Sequence, residues 1–517
     1  MSIKSLLLTG AIAAVTLTTA AAPGFAASSD TTKAQVEAMR KAMQAQIDEL
    51  KAQVQQLTGQ QQATQAQTQV TAQKVDTAVA AVEKVTPPKG KKGIQIGSVT
   101  LTPGGFIEAA GLYREKNMTS DIDTNFNNTP YKNSSNAYVD ENRFSARQSR
   151  LSLLATSDID ELTHAGAYYE MDFLGAANTA NSKQSNSYNP RIRHLYGTVD
   201  WDDTGWHLLA GQTWSLVVPF ASGMNPRSEV TPLTIDAQYV VGFNWTRNPQ
   251  FRLTKDFLNK TLWVGVSVEN AQETATALNA PTVSNFLITN TSGGLFDSTT
   301  AYSIDPSPDV IGKVAWEPGW GHYEAYGIFS QYRDRAAGSN NTATGGGIGG
   351  SAQLPVIPKF LDVTLSGLEG TGVGRYGTSQ LSDLTYDNLG KLHPLSGYSF
   401  MVGVIGHPTP VLDIYGYGGQ EHVNSWYTVA GGKGYGYGSP LTSNTGCTIE
   451  GGTCGAVTKD ITEGTLGFWW KFANTGFGSV RWGAQAEYIT KQAYAGVGGA
   501  PKADNEIIMT SLRWYPF

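Results

Sequence analysis

Cysteine, charge and long apolar runs are all scarce in this chain. Only two of its 517 residues are cysteine and 15% are charged. Past the N-terminus no stretch approaches the ~18 to 20 continuous apolar residues that a membrane-spanning helix requires. A helical membrane protein and a dense disulfide framework are therefore excluded for the bulk of the chain. The two cysteines, Cys447 and Cys454, lack a second Cys or a His at ligand spacing, so a local disulfide is expected and no metal. The seven histidines are scattered, and no Ser or Cys nucleophile sits in a recognisable motif. The glycine run Gly345 to Gly350 has no Lys-Ser/Thr behind it, so it cradles no phosphate. Neither an enzyme nor a cofactor is expected, and no nucleic acid is expected as a partner.

Glycine and aromatics are abundant: 58 Gly, 23 Tyr, 18 Phe and 12 Trp. With a mildly negative mean hydropathy, this suits strands having one apolar and one polar face. The net charge of -6 decides little, because in a pore what matters is where the charges point.

The chain opens with Lys4 and an apolar run from Leu6 to about Ala22, then Pro23-Gly24-Phe25-Ala26-Ala27. Residues 1–26 read as a cleavable secretory signal, with an uncleaved anchor as the alternative. From 27 to 86 the composition turns to Ala, Gln, Val, Lys and Glu. One seam runs through Val36, Met43, Leu50, Leu57, Thr64, Thr71, Ala78 and Val85, and another through Arg40, Ile47, Val54, Gln61, Thr68, Val75 and Val82. The heptad holds without insertions, so a periplasmic coiled-coil arm is expected, with a disordered Gln/Ala-rich linker as the alternative. β-Branched seam residues are compatible with dimers or trimers, and the expectation is a homotrimer. Pro87-Pro88-Lys89-Gly90-Lys91-Lys92-Gly93 opens a hinge over 87–95.

From 96 to 517 the pattern has period two, and about sixteen antiparallel strands are expected. They fall near 96–113, 142–156, 163–174, 190–201, 205–214, 237–254, 260–269, 308–317, 322–333, 343–355, 360–375, 397–408, 411–424, 462–472, 479–491 and 505–517. Short turns such as 158–161, 202–205, 319–321, 408–410 and 474–476 alternate with long polar loops at 117–140, 175–188, 270–306, 376–395 and 425–460. This is the layout of an outer-membrane barrel with its short side in the periplasm; a soluble β-sandwich is the competing architecture. The expected fold is thus an all-β transmembrane barrel behind an α-helical coiled coil. The chain ends Arg513-Trp514-Tyr515-Pro516-Phe517. Counting back from Phe517 puts Arg513 on the lipid face, unless it snorkels or Pro516 breaks the alternation.

Eight of the fifteen arginines fall between 143 and 252: Arg143, Arg147, Arg150, Arg191, Arg193, Arg227, Arg247 and Arg252. An Arg at the midplane of the lipid face costs roughly 2 to 4 kcal/mol, so those at mid-strand belong in the lumen. In Arg150-Leu151-Ser152-Leu153 the leucines suit lipid and Arg150 turns inward; Arg191 and Arg193 share a face. Arg143 and Arg147 fall on the leucine face by strict counting, which places them above the bilayer, near a bulge or at the interface. The segment Trp214 to Ile235, interrupted by Pro219 to Gly223, is the candidate constriction loop, carrying Trp214 and Arg227. Arg147, Arg150, Arg191, Arg193 and Arg252 are the candidate pore groups, because converging guanidiniums bind carboxylates and repel cations. The competing reading pairs them with Glu170, Asp172, Asp200 and Glu229 as wall struts.

The order of signal, arm, basic hinge and barrel resembles the DcaP family of trimeric outer-membrane porins. So do Ser145-Ala146-Arg147-Gln148-Ser149-Arg150-Leu151, Arg191-Ile192-Arg193-His194-Leu195-Tyr196 and Gly211-Gln212-Thr213-Trp214-Ser215. The resemblance implies passive uptake of small anionic organic acids, such as dicarboxylates, with inward arginines as the binding groups. Two rivals remain. One is a sugar porin with an aromatic path through Trp206, Trp214, Trp245, Tyr415 and Tyr417. The other is a tether whose arm grips peptidoglycan while the barrel anchors it in outer-membrane lipid.

Overall fold

The computed structural model describes residues 93–175, 189–291 and 301–517, together with six helical, exposed arm positions: Glu37, Lys41, Gln44, Asp48, Lys51 and Gln55. The chain divides into Met1–Thr86 and Pro87–Phe517. The signal segment, both coiled-coil seams and the hinge up to Lys92 lie outside the described residues. Within the arm, Gln44 Nε2 donates to Asp48 Oδ1 at 3.3 Å, one helical turn on.

The second unit is a closed antiparallel barrel of 16 strands. They are β1 (Val99–Arg114), β2 (Glu141–Ser145 and Arg150–Asp158), β3 (Thr163–Gly175), β4 (Asn189–Trp201), β5 (Trp206–Trp214), β6 (Arg247–Phe257), β7 (Leu262–Glu269) and β8 (Asp309–Trp316). There follow β9 (His322–Ala336), β10 (Ser339–Ile357), β11 (Leu361–Thr371), β12 (Ser396–Thr409), β13 (Leu412–Val423), β14 (Thr458–Thr475), β15 (Gly478–Ala493) and β16 (Lys502–Tyr515). Each strand pairs with its sequence neighbours, and β1 closes the ring on β16 from Ile107↔Trp514 to Arg114↔Ile507. Closure leaves no free sheet edge, which a barrel in lipid requires.

Connections at one end are short throughout, while at the other they are mostly long. The exception is the β9–β10 hairpin, which turns on Ala337-Gly338 alone, both at positive φ. The polar residues Ser339 to Thr342, which precede the strand expected at 343–355, continue its ladder. The disulfide Cys447–Cys454 is formed within the β13–β14 loop.

Alternation sorts the strands into two faces. Leu151 and Leu153 of β2, Phe251 of β6, and Val402 and Val404 of β12 stand exposed on the outside, as do many other large apolar residues. Such a belt belongs in lipid. Arg513 departs from the expectation: it points inward, 9% exposed, with Nε 2.9 Å from Glu108. The strand ends at Tyr515, so counting from Phe517 sets the wrong phase, and Trp514 takes the outward position opposite Ile107.

The apolar core lies inside the barrel. The β5–β6 connection runs from Ser215 to Thr246 and buries Leu216, Val217, Val218, Phe220, Ile235, Val240, Val241 and Phe243 against the wall. Residues 237–246, expected to begin the sixth strand, belong to this connection, and β6 starts only at Arg247.

Candidate functional site: an arginine-lined constriction

Inward-facing wall side chains hold the β5–β6 loop across the lumen by its backbone N–H groups. Leu216 N–H donates to Glu269 of β7 at 2.9 Å, and Phe220 N–H to Glu324 of β9 at 3.1 Å. Gly242 N–H donates to Glu421 of β13 at 2.9 Å, Val241 N–H to Glu463 of β14 at 2.7 Å, and Ile235 N–H to Gln485 of β15 at 2.6 Å. Lys313 of β8 gives its ammonium to the Val218 carbonyl at 2.8 Å. A loop carried inward leaves its own ladder partners behind, and these side chains supply the replacements.

Two bulges aim the arginines. Ala110↔Ser145 and Phe106↔Arg150 are both in register, so four steps on β1 face five on β2. The extra residue shifts the phase, and Arg147 and Arg150 both reach the inside. The β3–β4 ladder shifts between Glu170 and Met171, and Arg193 and His194 are in consequence both buried inside.

The predicted pore arginines then divide. Arg147 is a strut: Nη1 binds Asp121 at 3.0 Å, and Nε and Nη2 donate to the carbonyls of Phe173 and Gly175. Arg252, 2% exposed, supports the root of the loop through the Trp214 carbonyl and Gln250. Arg191 and Arg193 share a face and share Asp172, at 2.7 and 3.0 Å, and Arg193 also binds Glu170 at 2.6 Å. Arg150 touches Glu170 only at 3.9 Å and packs its guanidinium 5.3 Å from the Phe106 ring. Arg143 pairs with Glu141. Pairing with the expected acids Glu170 and Asp172 thus holds for Arg191 and Arg193, whereas Arg147 and Arg252 are held by other partners. Asp200, which the strut reading also invoked, binds His207 at 2.7 Å.

Arg227 lies at the loop tip, exposed, 5.8 Å from the Tyr168 ring. Arg247, absent from the predicted set, stacks 4.9 Å from Trp214 and 5.0 Å from Trp245. Neither has an ion pair among the described residues, and Arg247 Nη1 is buried without a hydrogen-bond partner. Of the two, Arg227 lines the cavity described next.

These groups meet around a cavity of 210 Å³ lined by Arg150, Arg193 and Arg227, with Glu170, Trp214 and Tyr239 among the other walls. Below it, Tyr168, Tyr196 and Arg227 also border a wider space of 430 Å³ that reaches the short-turn end at Asp158, His164 and Lys260. The smaller, cationic cavity, the waist of the proposal below, thus shares Tyr168, Tyr196 and Arg227 with the wider one. The aromatic candidates do not form one path. Trp206 faces outward beside Lys255, while the Tyr415 and Tyr417 hydroxyls are spent on Gln485 and Leu233 N–H.

A closed barrel of 16 antiparallel strands, apolar outside and crossed by an inward loop after its fifth strand, has the architecture of the porin fold. The solved structures bear this out at the level of fold. The outer membrane channel DcaP of Acinetobacter baumannii is 16% identical, with 82% of this chain matched to 100% of that one at a TM-score of 0.58. Looser likenesses include an anion-selective porin from Comamonas acidovorans, 12% identical over 81% of this chain and 99% of that one, TM-score 0.44. OprB of Pseudomonas putida is 11% identical over 80% and 94%, TM-score 0.45. No protein-family model and no curated protein matches the chain.

Proposed function

We propose that this protein is an outer-membrane porin through which small hydrophilic solutes diffuse passively, with a preference for anionic organic acids such as dicarboxylates, and that it is a DcaP-like porin. The observation that carries the reading is the waist itself. Arg150, Arg193 and Arg227 line it from β2, β4 and the inward loop, Arg247 adds a further cation above, and only Glu170 and Glu229 oppose them on the cavity wall. With Glu170 bound to Arg193, the cavity wall carries net positive charge. There it attracts carboxylates by paired, charge-assisted hydrogen bonds and repels cations.

In this reading residues 1–26 are removed on export, residues 27–86 form a periplasmic coiled coil that helps assemble a homotrimer and contacts peptidoglycan, and 87–95 is the hinge. Replacing Arg150 and Arg193 together by Ala should reduce anion selectivity in planar bilayers while leaving the oligomer intact. Unchanged selectivity would remove both residues from the site.

A further inference from the structure

Tyr239 is the one bulky aromatic on the inward loop with a left-handed backbone, at φ 73°. Left-handed φ is strained for a residue with a large side chain, costs on the order of 1 to 3 kcal/mol, and persists only where the surroundings over-determine it. Here they do. Asp236, fully buried, accepts Gln238 N–H at 2.7 Å and Thr124 N–H of the first loop at 3.1 Å, and its carbonyl accepts Tyr239 N–H at 3.2 Å. The ring is boxed by Phe243, Trp245 and Trp214, at centroid separations of 5.3, 5.8 and 6.0 Å.

This strain delivers a hydroxyl to the cationic waist. Tyr239 lines the 210 Å³ cavity, Arg193 Nη2 donates to its oxygen at 3.5 Å, and Arg193, Arg150 and Arg247 are the charges acting on it. A phenol oxygen is a poor match for three guanidiniums. The bond from Arg193 is long, and an incoming carboxylate would make a shorter, charge-assisted one. We infer that the Tyr239 hydroxyl holds the place of a solute carboxylate in the constriction, and that an anion passes by taking over the Arg193 donor from it. Tyr239 is then a specificity-determining residue: its oxygen keeps Arg193 oriented between solutes, and its competition keeps anion binding weak enough for release. The inference rests on the anion-channel reading above.

The test is current block by succinate in planar bilayers. Tyr239→Phe keeps the ring and removes only the oxygen. Its half-blocking succinate concentration should fall roughly three- to tenfold, as expected when one modest competing hydrogen bond is lost. Tyr239→Gly, which the left-handed backbone accepts without strain, should show the same fall with a larger single-channel conductance. A wild-type channel that prefers anions and is blocked by succinate, with both variants unchanged in half-block, overturns this inference alone. A wild-type channel without anion preference overturns the channel reading and this inference with it.

Discussion

Arg247 lies 4.9 Å from the Trp214 ring and 5.0 Å from that of Trp245, with no ion pair among the described residues, while Arg193, across the same tryptophan at 5.8 Å, is bound to Glu170 and Asp172. Two guanidiniums on one indole thus differ in their surroundings: Arg193 is ion-paired, and Arg247 is not. Replacing Arg247 by Gln should lower the anion-to-cation permeability ratio and leave thermal stability nearly unchanged. Reversal potentials under a salt gradient, read beside a thermal melt, check both halves.

Arg193→Ala should behave otherwise. It takes from Glu170 its close cation and leaves Asp172 to Arg191 alone, and breaking a buried pair from one side costs about 3 to 5 kcal/mol. It also removes the positive excess from the cavity wall, leaving Arg150 and Arg227 against Glu170 and Glu229. The expected outcome is a lower unfolding temperature together with a reduced anion selectivity; a stable variant with wild-type selectivity contradicts the assignment.

Glu421 ties the inward loop to the wall and to the β11–β12 loop. It accepts Gly242 N–H at 2.9 Å, Thr378 Oγ1 at 2.9 Å and Ser379 N–H at 3.1 Å. Replacing it by Ala leaves the Gly242 and Ser379 N–H groups unpaired at about 1 to 3 kcal/mol each, while the Thr378 hydroxyl keeps the Val240 carbonyl. Single-channel recordings should then show higher, noisier conductance with weaker selectivity, because the loop no longer holds the arginines in place.

Outside the strands, burial beside the Asp305 and Asp383 carboxylates pushes the Glu273 carboxyl up to about 8. With the folded value raised above the ordinary one, the folded chain binds the extra proton. The contribution is fully present below about pH 4.5 and is lost as pH rises through about 8. Glu273→Gln removes that dependence. It should raise the melting temperature at pH 8 and leave it unchanged at pH 4; equal shifts at both would contradict the assigned ionisation.

Strand count and loop asymmetry were legible because lipid on one side and water on the other impose period two on every strand. Arg150 was legible through its leucine neighbours. The loop boundary was not. Tyr239-Val240-Val241-Gly242-Phe243 has the apolar character of a strand, yet those residues pack against the inner wall, and composition does not say which surface they cover. The bulges behind Arg147 and at Arg193-His194 are set by pairing between distant strands, which alternation within one strand does not record. Arg247 went unselected because it was counted into a longer strand instead of standing where the loop re-enters the wall. Its spacing from Trp245, two residues back, was the available signal.

The central claim is that the waist selects anions. The measurement that tests it most directly is the reversal potential of the purified protein in planar bilayers under a potassium chloride gradient, with succinate then added to one side. The account predicts an anion-preferring reversal potential and succinate-dependent block of the current. Cation preference, or a conducting channel indifferent to succinate, would contradict it.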